Sequence, residues 1–253
     1  MDTGSDGTAP SLLDTRATLV AVIDIVALDG DDTLWHNELQ FSMTQARFCE
    51  LVSPHAREAD LDGRLLATER VNLATYGYGV KSFTLSMIET AIDVSGGRVP
   101  ASVIEAILAA GKAMLSHPVE LLDGVVEAID ALSGRYALMV ITKGDLFHQE
   151  SKLARSGLGD LFHRIDIVSE KDPATYRRIM EREGIAPDRF VMVGNSLRSD
   201  VLPVASLGAH AVHVPFHTTW ALEHVDPEEA ARYEFSTISS LFDLPALIDR
   251  LDR

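Results

Sequence analysis

The chain holds a single cysteine, few basic residues for its size and no long apolar run, and each shortage excludes something. Cys49 cannot close an internal disulfide, which fits a reducing, cytoplasmic compartment. Its setting, Ala46-Arg47-Phe48-Cys49-Glu50-Leu51, is amphipathic and reads as a core thiol rather than a nucleophile. Twenty-two Lys and Arg face 38 Asp and Glu, for a formal charge of −16 at pH 7. Such a field repels nucleic acid and anionic membrane, both of which are bound mainly through Lys and Arg. It leaves room for a small anionic substrate, because salt screens exposed charges over ~8–10 Å and a few local cations outweigh the distant field. The longest apolar stretch near the start, Leu19 to Leu28, is interrupted by Asp24 and falls short of the ~20 residues a spanning helix needs. Residues 1–18 are rich in Asp, Thr, Gly and Ser, lack the basic start of a signal peptide and read as a flexible tail. No internal repeat or low-complexity segment stands out.

What is present is an ordinary globular mix, 46% hydrophobic and 24% charged, in a chain of 253 residues. That length buries a substantial core without disulfides or metal staples. Residues Ile23 to Leu28 form a branched apolar run that predicts a buried strand ending at Asp29. From 36 to 117 the apolar positions recur at helical spacing, as in Phe83, Met87, Ile88, Ala91 and Ile92, with Gly77, Gly79, Gly96 and Gly97 as turns. From about 124 helix and strand alternate. Strands are expected at Tyr136 to Ile141, Arg164 to Val168, Phe190 to Val193 and Ala209 to Val214. Helices are expected at 124–133, 145–156, 172–184 and 200–207. This alternation implies right-handed crossovers in an α/β, doubly wound, mostly parallel sheet with a Rossmann-like core. The expected division is a core of 19–35 and 118–253, with an all-helical cap at 36–117 inserted after the first strand.

Ligands of open parallel sheets sit beyond the carboxyl ends of the strands. Here the first strand delivers Asp29-Gly30-Asp31-Asp32-Thr33-Leu34 and the second Thr142-Lys143-Gly144-Asp145. The third leads to Ser169-Glu170-Lys171-Asp172, and the fourth to Gly194-Asn195-Ser196 with Arg198 and Asp200. A hydroxyl, cations, an amide and several carboxylates would share one crevice. Phosphoryl transfer uses such a set. One carboxylate attacks phosphorus. A second protonates the leaving oxygen and later activates water. Loop N–H groups such as that of Gly30, the Thr142 hydroxyl, Lys143 and Lys171 are candidates to hold phosphoryl oxygens. A hard divalent cation on oxygen ligands screens carboxylate from phosphate. Beside a metal and a lysine Asp29 should be ionised, whereas Asp31, if shielded from the metal, would be partly protonated by its like-charged neighbours.

In motif order and spacing from about residue 19 the chain resembles the haloacid dehalogenase superfamily, in its phosphatase-like, phosphoglycolate-phosphatase-like branch with a helical cap. The resemblance implies that Asp29 is the nucleophile, Asp31 the acid/base, Thr142 the phosphate-binding hydroxyl and Lys171 the lysine that pairs with nucleophile and phosphate. It further implies Mg2+ held by the Asp29 side chain, the Asp31 backbone carbonyl, Asn195 and Asp200. The first metal position of the fourth motif is often Asp, and Asn195 supplies a neutral, weaker donor there. The expected reaction is hydrolysis of a phosphomonoester of a small metabolite through an aspartyl phosphate, by a monomer or homodimer. A sugar-phosphate mutase shares the same motifs. A non-catalytic binding protein would retain the fold, with Asn195 as the only hint of decay. Dehalogenation is disfavoured because it needs neither Asp31 nor magnesium.

Other polar residues carry plainer expectations. His210, His213 and His217 lack the spacing of a zinc site. Trp35 and His36 are expected to pack at the hinge between core and cap. Tyr76, Tyr78 and Lys81, around the cap glycines, are candidate substrate contacts.

Overall fold

The computed structural model describes residues 23–57 and 60–252, so the expected tail at 1–18 lies outside it. Six strands form one parallel sheet: β1 (Ile25–Leu28), β2 (Ala137–Lys143), β3 (Arg164–Val168), β4 (Phe190–Gly194), β5 (His210–His213) and β6 (Ser236–Thr237). Their order is β3-β2-β1-β4-β5-β6, with β1 between β2 and β4. The two-residue β6 escapes sequence reading because it is too short for any periodicity. Along each strand the side chains alternate between two cores. Val26, Leu28, Leu138, Val140, Val191 and Val193 pack on one face against Val125, Ile129, Leu244 and Ile248. Ile25, Ala27, Met139, Ile141, Phe190 and Met192 pack on the other against Tyr176, Ile179 and Met180. Burial on both faces explains why β1 reads as an unbroken apolar run.

Between β1 and β2 the chain runs through α1 (Glu38–Val52), α2 (Leu61–Tyr76), α3 (Val80–Val94) and α4 (Ala101–Ser116) before α5 (Val125–Leu132) returns it to the sheet. Helices α1–α4 share an apolar cluster of their own, with Phe48, Leu65, Phe83, Met87 and Ile107 at its centre. Cys49 is half-buried against this cluster. Burial and the adjacent Asp62 push its thiol up to about 12, so it stays protonated and a poor nucleophile.

The remaining helices are α6 (Leu146–Ser156), α7 (Pro173–Glu183), α8 (Leu202–Ala205), α9 (Pro227–Ala230) and α10 (Leu244–Leu251). The helix expected from Asp200 instead begins as a wide π-type turn at Leu197–Val201, and only then becomes α8. Its mark is the Val201 N–H donating to the Ser196 carbonyl five residues back. The Ser196 hydroxyl accepts from the Ser199 N–H and starts this turn.

Asp32 joins the sheet to α1. Its backbone is left-handed, with φ 58°. Its carboxylate accepts from the Asn37 N–H at 2.8 Å and the Glu38 N–H at 3.0 Å, supplying the cap that Asn37's own side chain does not. Asp32→Ala should therefore cost about 1–2 kcal/mol and lower Tm by roughly 2–8 °C, while Asp32→Asn, which tolerates the same φ and still accepts, keeps most of the stability. Thermal unfolding of the two variants checks this, and an unchanged Tm in Asp32→Ala contradicts it.

Candidate active site

The register of the sheet sets the site. Leu28 lies level with Val140 of β2 and Val193 of β4, so Asp29 emerges between them and its N–H donates to the Val193 carbonyl at 2.9 Å. The ends of β1, β2 and β4 and the loop after β3 then line one crevice of about 170 Å³ below α1–α3, with Asp29, Asp31, Thr142, Lys143, Lys171, Asn195 and Asp200 all on its wall.

Lys171 is the hub. Its ammonium donates to Asp29 Oδ1 at 2.5 Å and Asp200 Oδ1 at 2.6 Å, with all three side chains almost wholly buried. Burial works against the charged lysine, but Asp200 and Asp29 outweigh it and hold Lys171 above its ordinary value. Asp29 itself is pushed up, by burial above all, against the pull of Lys171. Asp200 is fixed by a second bond, its Oδ2 accepting from the Ser196 N–H at 2.9 Å. Gly194 leaves the space for it, since a Cβ there would collide with the Asp200 carboxylate.

Asp31 departs from expectation. Its Oδ1 accepts from Trp35 Nε1 at 2.6 Å and from the Lys152 ammonium at 2.8 Å, and its Oδ2 from Gln149 Nε2 at 3.2 Å. Burial alone would raise its carboxyl, but the charge and hydrogen bond of Lys152, joined by Trp35, outweigh it and hold Asp31 below its ordinary value. The partly protonated Asp31 expected from its acidic neighbours is thus reversed by a lysine eleven residues along the chain from Ile141, on a helix that was not read as part of the site.

Thr142 Oγ1 accepts from Gln149 Nε2 at 2.8 Å, and Gln149 also donates to the Lys143 carbonyl at 2.9 Å. Gly30 is close-packed: a Cβ would lie 2.7 Å from the Trp35 ring and 3.3 Å from Thr142 Oγ1. Lys143 reaches the crevice but is already engaged. It donates to Glu223 at 2.7 Å and Ser199 at 2.8 Å, and sits 4.1 Å from the centre of the Tyr78 ring. Asn195 lies beside Thr33, whose hydroxyl accepts from the Asn195 N–H at 3.1 Å.

Of the other expected contacts, Tyr78 enters the crevice and donates to Glu170 at 2.7 Å. Lys81 binds Asp145 at 3.0 Å, tying α3 to the loop after β2. Tyr76 remains at the surface. Trp35 is buried as expected, yet it also holds Asp31. His213 Nε2 lies 3.1 Å from the Asn195 carbonyl, a structural contact.

The donor set suits a hard divalent cation. Asp29, Asp200, the Asn195 amide and the backbone around Asp31 are all oxygen donors, and Asp29 Oδ2 takes no hydrogen bond from the described residues. Among those residues no three His, Cys, Asp or Glu side chains form a metal cluster by themselves. A site here therefore relies on the amide and backbone oxygens as well as the two carboxylates.

Comparison with known proteins places the chain among relatives. A family model described as haloacid dehalogenase-like hydrolase matches residues 23–208. A haloacid dehalogenase-like family hydrolase from Xanthomonas campestris is 43% identical, with a TM-score of 0.81 over 91% of this chain and 92% of that one. L-2-haloacid dehalogenase from Xanthobacter autotrophicus shares the fold, with a TM-score of 0.58 over 90% of this chain and 99% of that one, at 16% identity. Glyceraldehyde 3-phosphate phosphatase from Methanothermobacter thermautotrophicus is 34% identical over 104 residues, 39% of this chain and 46% of that protein. That match spans less than half the relative's length. With the family model covering most of the chain, and the first-motif aspartates at the end of the central strand, the protein belongs to the haloacid dehalogenase-like hydrolases.

Proposed function

We propose that this hydrolase is a magnesium-dependent phosphatase that cleaves phosphomonoesters of small metabolites through a phosphoaspartate on Asp29. The observation that carries the reading is the separation of two neighbouring carboxylates into two environments. Asp29 is gripped with Asp200 by Lys171, and Asp31 is turned to Lys152, Trp35 and Gln149. Two carboxylates held apart in this way suit two roles.

Asp29 attacks phosphorus, and the bond to the leaving alcohol oxygen breaks. Lys171, Thr142 and the N–H groups of the loop after β1 receive the phosphoryl oxygens. Asp31 delivers a proton to the leaving oxygen and then takes one from the water that attacks the phosphoaspartate. An approaching phosphate raises the proton affinity of Asp31, because like charges disfavour a second anion. Magnesium, held by Asp29, Asp200, Asn195 and the Asp31 carbonyl, would supply charge neutralisation between carboxylate and phosphate. Helices α1–α4, residues 36–117, act as a cap that excludes bulk water from the crevice. Among the described residues no helix is long and apolar enough to cross a membrane.

The test is release of phosphate from an aryl phosphate with and without magnesium. Hydrolysis that stops on chelation and returns on adding magnesium is expected. No hydrolysis with the metal present, or dehalogenation of a 2-haloacid in its place, contradicts the reading.

A further inference from the structure

Part of the crevice wall comes from α1 and α2 rather than from the sheet, and it carries acidic side chains. Glu69 of α2 lies on this wall, is 9% exposed, and receives no hydrogen bond or ion pair from the described residues. Glu38, in the first turn of α1, lines the same wall, and its carboxylate is likewise unpartnered there. Phe41, Leu73 and Phe83 add apolar side chains to the same crevice wall.

Among the described residues, each lysine that lines the crevice is already engaged elsewhere. The lysines of the crevice are Lys143, Lys152 and Lys171. The first is held by Glu223, the second by Asp31 and Asn37, and the third by Asp29 and Asp200. Burial pushes Glu69 up to about 7. Burial, then Asp32 and Glu69, push Glu38 up to about 8. Acidic side chains on a pocket wall that no protein group engages are available to a ligand.

The geometry points to a substrate whose alcohol carries a protonated amine, seated between Glu38 and Glu69 across a short apolar framework from the phosphate. The chemical class is an amino-alcohol or amino-sugar phosphate. A phosphate ester ending in a carboxylate would instead bring no positive charge to either glutamate. This inference rests on the phosphatase reading and narrows it to a substrate class.

The experiment compares kcat/KM for ω-aminoalkyl phosphates of increasing chain length with ω-hydroxyalkyl phosphates of the same lengths, and includes an aryl phosphate as control. At the length that reaches Glu69 the amine should exceed its hydroxyl partner by roughly 10- to 100-fold, the range of a charge-assisted hydrogen bond. Glu69→Gln should bring that ratio towards one, and Glu69→Asp should move the optimum to a longer chain. An amine-to-hydroxyl ratio near one at every length, with the aryl phosphate turned over, overturns the amine assignment and leaves the phosphatase reading intact. Failure to hydrolyse any of the esters, the aryl phosphate included, overturns both. The wild-type chain-length series decides the matter even if the variants do not fold.

Discussion

Asp29→Asn should lose at least about 10⁴-fold in magnesium-dependent phosphate release, because removal of a covalent nucleophile leaves only binding and electrostatic stabilisation. The variant should still fold. An amide at this position keeps the shape of the side chain that fits between β2 and β4, and can still accept from Lys171. It also removes a buried negative charge that burial already disfavours. Thermal unfolding measured beside turnover separates the two effects. A drop in activity with a cooperative unfolding transition is expected, since Asp200 still pairs with the Lys171 ammonium. Undiminished turnover would exclude Asp29 as nucleophile.

Lys171→Met should be the most destabilising single change in the site. The ammonium is the shared partner of Asp29 and Asp200, and a methionine leaves both carboxylates buried without it. Removing one member of a buried ion pair costs about 3–5 kcal/mol, far more than the intact pair contributes over apolar side chains of similar size. Activity should vanish with it, since Lys171 also faces the phosphoryl group in the proposed reaction. Asp200→Asn combined with Lys171→Met should be less destabilised than the sum of the two single variants, by roughly 0.5–3 kcal/mol. Additive losses in chemical denaturation would contradict direct coupling through the ammonium.

These expectations concern residues that the sequence places well. Asp29, Thr142, Lys171 and Asp200 are legible because each follows an apolar run whose alternation in a parallel sheet ends at one edge. The sheet then has little choice but to bring them together. The helices are harder to read, and α6 shows why. Its first two turns bury the polar His148, Gln149 and Lys152 and only Leu153 joins the core, while Leu146 and Phe147 are exposed at 59% and 74%. A reading that turns apolar residues inward points this helix the wrong way and hides Gln149 and Lys152, the two side chains that position Thr142 and Asp31. The usable signal was polar residues recurring at helical spacing directly after Thr142-Lys143-Gly144-Asp145.

Glu69 and Glu223 were invisible for a related reason. A glutamate on an otherwise ordinary helix or loop reads as a solvated charge, and only the fold shows that Glu69 faces the crevice while Glu223 ties Lys143, Ser196 and Ser199 together. The charge state of Asp31 was misjudged through the same omission, since its acidic neighbours are adjacent in sequence and its lysine is not.

The most direct measurement is to quench the enzyme in acid during turnover of an aryl phosphate and locate added phosphate by peptide mass. The Asp31→Asn variant is the best material, because loss of the group that activates water should let the intermediate accumulate. A phosphate on the peptide that contains Asp29, absent from Asp29→Asn, is the predicted result. Steady release of phosphate by the wild-type enzyme with no label on that peptide in either protein, or with label on another residue, would contradict it.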